Sequence, residues 1–370
     1  MTIKHLFPDA WPTLNLDFAN QLALDPRITF TRSSTGTYVD KNGIIQTAQD
    51  DEARFDHDPV TGESLGLLME ESRTNEFPYS EDFSTSSWNN VNTTVTTNAA
   101  IAPDGTSTAN RLQIGDTDGG IYDNTVGAVA SNSTISMWVK SVNPDIDDVF
   151  RLTCAGDFSG DLIATNEWVR YTFTSSTTTS SLHGIIRPAD NTATDIYVWG
   201  AQFEEEKTFP TSYIPTAGTT ETRAADIASI TGANFSSWYN QSEGTAFAEY
   251  DGLKDYARVL DLGNGNPFIT SRPAINAAYD GVTETASTAD LGLTLGDTRK
   301  SVTAYSGTTT TLTISGLVPV TGNSDFTSTT NTVAYLGGQG GNSNVLNGHI
   351  SRLAYFPTRL PDDKLKSITT

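Results

Sequence analysis

The chain is poor in cysteine, basic residues and long apolar runs, and each shortage excludes something. A single cysteine, Cys154, forbids an internal disulfide framework. Such a chain is expected to fold in a reducing compartment, the cytoplasm of the cell that makes it. Only 22 Lys and Arg stand against 44 Asp and Glu, a net charge of −22. That balance argues against nucleic acid as a partner, because phosphates need clustered cations to displace their counterions. It suits a protein that must stay soluble at high abundance. No apolar run approaches the ~18 residues of a membrane span, and "MTIKHLFPDAWP" has no apolar core for a secretion signal. Neither membrane insertion nor a secretory route of its own is expected.

Catalytic motifs are missing too. The four histidines, His5, His57, His183 and His349, have no metal-ligand spacing. There is no G-x-S-x-G, and "LGGQGGNSN" lacks the Lys and following helix of a phosphate loop. "RFDHDP" gathers Asp56, His57 and Asp58, which suggests a metal or base site; the plainer reading is a turn, with Asp58 favouring the bend before Pro59. Cys154, in "FRLTCAGDF", has no neighbouring His and reads as a small core residue. No catalytic residue is expected and no cofactor is implied.

What is present is β pattern. Hydrophobic residues make up 36%, with 16 Phe, 13 Tyr and 6 Trp, enough for sheet cores and too much for a disordered chain. "TISMWVKSV" puts Ile135, Met137 and Val139 on one face and Ser136, Trp138 and Lys140 on the other. "EWVRYTFTS" and "TDIYVWGAQFE" alternate in the same way, and turn signals such as "DKNG", "PDGT" and "GNGNP" separate the runs. Hairpins are expected around Asn42-Gly43 and "DPVTGES". The clearest short helix is "LPDDKLKSI", opened by Pro361 and two aspartates and closed by lysines.

A chain of 370 residues is too long for one ordinary core. The expected fold is all-β: a small N-terminal β-hairpin module (1–74) followed by two β-sandwich, jelly-roll domains (75–216 and 227–370) joined by a linker (217–226). The stretch "VWGAQFEEEKTFPTSYIPTAGTTETRAAD" reads as the seam between them. Its prolines cannot donate to a central ladder. Its consecutive glutamates, Glu204, Glu205 and Glu206, point to alternate faces of a strand and cannot converge as an acid–base pair.

Several of these segments carry a resemblance. "FTRSSTGTYVDKNG" and "RFDHDPVTGESLGLLMEESRTN" closely resemble the opening module of many bacteriophage minor structural and fibre proteins. "NEFPYSEDFSTSSWNN" and "VWGAQFEEEKTFPTSYIPT…TRAAD" are similar to the two ends of the phage head-spike-fibre domain, a relative of carbohydrate-binding jelly rolls. "WYNQSEGTAFAEY" and "LNGHISRLAYFPTRLPDDKLKSIT" resemble the first and last strands of a laminin-G or concanavalin A-like sandwich. The resemblance implies a non-enzymatic virion protein, a fibre or spike, made in the host cytoplasm and touching host surface polysaccharide. A head decoration or head fibre of purely structural role, and a glycan-degrading enzyme, are the alternatives. It implies other virion proteins (capsid, tail or baseplate) as partners through the N-terminal module, and a homotrimer.

Three sets of candidate residues follow. Sugar sites in sandwiches use a flat aromatic beside polar side chains; Trp138 and Trp199 lie on the polar-looking faces of their strands, and Trp238 and Tyr239 open the last domain. The acidic turns "GDTDGG" (Asp116, Asp118) and "GDFSGD" (Asp157, Asp161) offer hard oxygen ligands of the kind a structural calcium takes. The apolar "SLGLLMEE" (Leu65, Leu67, Leu68, Met69) is the candidate oligomer contact, with a buried intramolecular strand as the other reading.

Overall fold

The alternation read from "TISMWVKSV" is realised in the strand Ser133–Ser141. Ile135, Met137 and Val139 are fully buried on one side, while Trp138 and Lys140 are half-buried on the other. The computed structural model describes residues 11–370 apart from 22, 116–118, 124, 130–131, 177–179, 187–192, 264–266, 272–276, 281–282, 287–293, 329 and 341–342. Almost every element is a strand, and they form two compact units, each a sandwich.

The first unit is nearly contiguous, comprising 73–223 with 43–47. One five-stranded sheet runs in the order Val169–Ser175, Ser133–Ser141, Thr194–Glu204, Ala109–Ile114, Thr93–Ala100. The facing sheet is built on Val149–Cys154, Gly184–Ile186, Gly120–Asp123 and Trp88–Val91. Leu112, Ile135, Met137 and Val198 from one sheet meet Ile121, Phe150, Leu152 and Ile185 from the other in a single core. A second apolar cluster, Ala102, Ala109, Trp199 and Tyr213, covers the outer side of the five-stranded sheet.

The second unit is composite, built from 1–42, 48–72 and 224–370. Its eight-stranded sheet is centred on Glu243–Tyr250 and Gly348–Phe356. One side of Gly348–Phe356 pairs with Glu243–Tyr250; the other pairs with Ser64–Met69 along its first residues and with Leu14–Asp17 along its last. Gly66 lies where these partners change over. Its φ is +102°, and a Cβ there would run into the Ile350 carbonyl, so only glycine fits. The opposing five-stranded sheet runs Thr29–Thr31, Ile227–Thr231, Val333–Leu336, Ala257–Asp261, Pro267–Ser271. Leu16, Met69, Ile350 and Tyr355 pack against Ile230, Leu260, Ile269 and Leu336 between them. The expected terminal helix forms over Asp362–Ile368, and its Leu365 and Ile368 cover Phe247 and Phe356 on the outer side of the large sheet. Among the described residues no helix is long and apolar enough to cross a membrane.

All-β architecture with two sandwiches is as expected; the domain boundaries are not. Residues 1–74 do not form a module of their own, because Leu14–Asp17 and Ser64–Met69 are strands of the last sandwich's sheet. Nor is 217–226 a loose linker. Glu221–Arg223 pairs with Arg73–Asn75, and Arg223 and Asp226 are buried. The expected oligomer contact is likewise internal: Leu67, Leu68 and Met69 are buried and only Leu65 is half-exposed, since the strand is paired on both sides. The "DPVTGES" hairpin is present, with the Asp58 carboxylate accepting the Val60 and Thr61 N–H groups at 2.9 and 2.7 Å.

Candidate ligand-binding groove

The segments "FTRSSTGTYVDKNG" and "RFDHDP" meet in the composite sandwich over a buried ionic knot. Arg32 reaches Asp226 at 3.0 Å, and Arg54 reaches the other Asp226 oxygen at 2.5 Å and Glu70 at 2.8 Å. Arg32 also donates to the backbone carbonyls of Ser34 and Gln49, and Arg54 to that of Thr37. Gly36 packs so closely on both arginine stems that a Cβ would sit 3.1 Å from Arg32 Nε and 3.3 Å from Arg54 Cδ.

Above the knot lies a groove of about 560 Å³ lined by Ala23, Leu24, Tyr38, Asp40, Lys41, Asn42, Asp51, Glu52, Ala53, Phe55 and His57. Leu24, Ala53 and Phe55 make its apolar part, continuous with the sandwich core. Tyr38 is half-buried, and Lys41, Asn42, Asp51 and Glu52 are exposed at the rim. The acidic side chains are fixed by backbone donors. Asp40 accepts the Asn42 N–H at 2.8 Å, Asp51 the Arg32 N–H at 2.9 Å, and Glu52 the Gln49 N–H at 2.8 Å. His57 Nδ1 lies 3.1 Å from the Val39 carbonyl, which can only accept, so Nδ1 carries the hydrogen. Burial, then the charges of Glu52, Asp40 and Asp56, push the Tyr38 phenol above its ordinary pKa. A half-buried aromatic over an apolar floor, with converging polar groups, is the ordinary anatomy of a small-ligand site.

A second polar centre in the same unit is closed rather than open. His349 sits between two carboxylates, Nε2 to Asp56 at 3.0 Å and Nδ1 to Asp251 at 3.0 Å. Both ring nitrogens therefore donate, and the ring is an imidazolium. Burial acts to lower its pKa, but Asp251 and Asp56 outweigh that and raise it to about 10. Asp56, singled out with His57 and Asp58 in the sequence, is thus a clamp residue. It does not join its neighbours in a metal or base site.

The aromatic candidates are mostly covered. Trp199 is 1% exposed and Trp238 2%. Trp138 is half-buried, with the Arg170 guanidinium 4.5 Å over its ring and Trp199 and Tyr213 edge-on at 5.4 and 5.5 Å. Tyr239 is packed by Phe235 and Tyr305, and its hydroxyl accepts from Asn331 at 2.8 Å. Trp199 and Trp238 therefore have no face open to a sugar, while Trp138 and Tyr239 stay half-buried. Alternation says which side of a strand a residue occupies; it is silent on what lies over that side.

The acidic candidates fare similarly. Asp116 and Asp118 lie outside the described residues. Asp157 accepts the Phe158 N–H at 2.9 Å, and Asp161 pairs with Arg151 at 2.5 Å. Among the described residues no group of three or more His, Cys, Asp or Glu is placed to hold a metal. Glu204 is buried and takes Arg73 at 2.6 Å, Gln202 at 2.6 Å and the Thr211 N–H at 2.8 Å, a structural role. Cys154 is buried, which pushes its thiol up to about 12. His183 accepts the Ala155 N–H on Nδ1 and faces the Gly127 carbonyl with Nε2, a satisfied neutral core histidine.

The groove itself was missed in the sequence. Its available signal was Tyr38 followed by Asp40 and Asn42, a ring and two polar side chains on one strand end.

No protein-family model matches the chain, and no curated protein matches it. Solved structures are similar to it over part of its length. The carbohydrate-binding module CBM40 of a Ruminococcus gnavus IT-sialidase, bound to α2,3-sialyllactose, is 16% identical over 35% of this chain and 84% of that one, at a TM-score of 0.29. The CBM22-1 xylan-binding domain of Paenibacillus barcinonensis Xyn10C is 18% identical over 37% of this chain and 94% of that one, at 0.27. Trypanosoma rangeli sialidase is 9% identical over 70% of this chain and 60% of that one, at 0.26. Likenesses this distant bear on neither the ligand nor the activity of this chain.

Proposed function

We propose that the protein is a non-enzymatic structural component of a bacteriophage particle, a fibre or spike, which binds host surface glycan through the Tyr38 groove. The observation that carries the glycan reading is the groove's lining. Tyr38 offers a partly open ring to the apolar face of a sugar, beside Leu24 and Phe55. Asp40, Asn42, Asp51 and Glu52 offer fixed acceptors and an amide to its hydroxyls. The virion reading is supported by the signature segments of the sequence, which also build the knot beneath the groove. In that setting the partners are other virion proteins on one side and polysaccharide on the other.

Titration of the purified protein with polysaccharide from its host tests the binding. Tyr38→Ala should weaken it by about tenfold or more, the contribution of a stacked ring, with the melting temperature unchanged. Equal binding by wild type and variant would exclude the groove. Polysaccharide incubated with the protein should release no reducing ends above buffer, and release would make it an enzyme instead. Labelling the protein on intact particles decides the virion role.

A further inference from the structure

The polar atoms of the groove are unequally divided between acceptors and donors. Asp40, Asp51 and Glu52 contribute carboxylates, and among the described lining residues the one Lys or Arg against them is Lys41, exposed at the rim. His57 adds an independent feature. It is 9% exposed and lines the groove, and its Nδ1 is committed to the Val39 carbonyl. In the neutral ring Nε2 is then an acceptor, and it makes no hydrogen bond to a described residue. The ring is nearly buried but Nε2 is not sealed off, so water or a ligand in the groove can donate to it.

From this lining we propose that the groove selects glycans bearing free amino groups, unacetylated hexosamine residues, over neutral or acidic ones. The inference rests on the glycan reading of the same groove. An ammonium group has three donors and no acceptor, so it complements carboxylates and an imidazole lone pair together. A uronate or sialate carboxylate entering the same space meets like charge and finds few donors. The N-acetylated sugar loses both the positive charge and two of the donors. The upward push on the Tyr38 phenol agrees, because after burial its causes are the negative charges of Glu52, Asp40 and Asp56 converging on that ring.

Three soluble trisaccharides serve as probes: tri-glucosamine, its fully N-acetylated counterpart, and trigalacturonate. Tri-glucosamine should bind about tenfold or more tightly than the N-acetylated trimer at low salt, the gap narrowing as salt screens it. The double variant Asp51→Asn, Glu52→Gln keeps the oxygens that accept the Arg32 and Gln49 N–H groups while removing the charge. It should lose most of the preference. Because the chain carries a net −22, a control with two exposed carboxylates of the other sandwich neutralised, Asp145→Asn and Asp147→Asn, separates the groove from bulk charge. Retention of the preference in that control supports the proposal. Equal loss in both variants overturns it, as does equal affinity for the glucosamine and N-acetylated trimers, or tighter binding of trigalacturonate. In those cases the glycan reading still stands. Failure of all three trimers to bind removes that reading as well.

Discussion

In the contiguous sandwich the buried Arg73 meets Glu204, 131 residues away. In the composite sandwich two arginines, Arg32 and Arg54, converge on Asp226, 194 and 172 residues away, and Glu70 completes the group. Each knot joins segments that enter and leave its unit. The composite one must also hold together pieces from both ends of the chain, and there two guanidinium groups share one carboxylate. Buried ion pairs add little net stability over an apolar replacement, yet losing one partner strands the other charge. The comparison teaches that these arginines enforce which segments meet, and that the demand is greater where the meeting is less local.

The strongest way to break the comparison is to cut the chain. A fragment of residues 73–223 should be soluble and melt cooperatively. Residues 227–370 alone lack Leu14–Asp17 and Ser64–Met69 from their central sheet and should show no cooperative transition by calorimetry. A folded 227–370 fragment would remove the distinction between the two units.

Arg54→Ala comes next, since it leaves Asp226 and Glu70 buried with too little positive charge. It should cost the composite unit about 3–5 kcal/mol, read as a fall in that unit's transition alone. Arg73→Ala should do the same to the contiguous unit alone. A variant that lowers both transitions equally would contradict the separation.

A smaller loss follows from Leu67→Ala, about 2–5 kcal/mol for a fully buried leucine. Its second readout is mass in solution. Because Leu67 is a core residue, the oligomeric state by sedimentation should not change, whereas dissociation would restore an interface role.

The last effect is a dependence on pH. The folded pKa of His349 is raised above its unfolded value, to about 10. Its contribution is therefore fully present below the ordinary histidine pKa of about 6.5 and fades as pH climbs towards 10. The composite unit should lose stability progressively over that window, and His349→Gln should flatten the slope. A contiguous unit that loses as much over the same range would show that His349 is not the cause.

Fold class was legible because burial follows local alternation, as Ile135, Met137 and Val139 show. The seam at Glu204 was half legible: consecutive glutamates cannot converge, but nothing local announces that Arg73 waits for one of them. Strand partnership was not legible at all. Leu67 lies opposite Ile350 through backbone hydrogen bonds that any residues could make, so "SLGLLMEE" read equally well as an exposed contact. The groove escaped for a related reason. Tyr38 and Asp51 come from separate stretches of the chain, beside the loops whose Arg32 and Arg54 meet on Asp226.

The pairing of Ser64–Met69 with Gly348–Phe356 also has a consequence for biosynthesis. A ribosome adds roughly 5–20 residues per second, so about 280 further residues keep the early strand waiting on the order of 15–60 s. During that interval Leu67 and Met69 have no partner strand on one edge, while residues 73–223 can emerge and fold. A chain stopped short of residue 348 would carry a finished first sandwich and an open sheet edge. Such truncated products should be the ones that aggregate or are taken by chaperones.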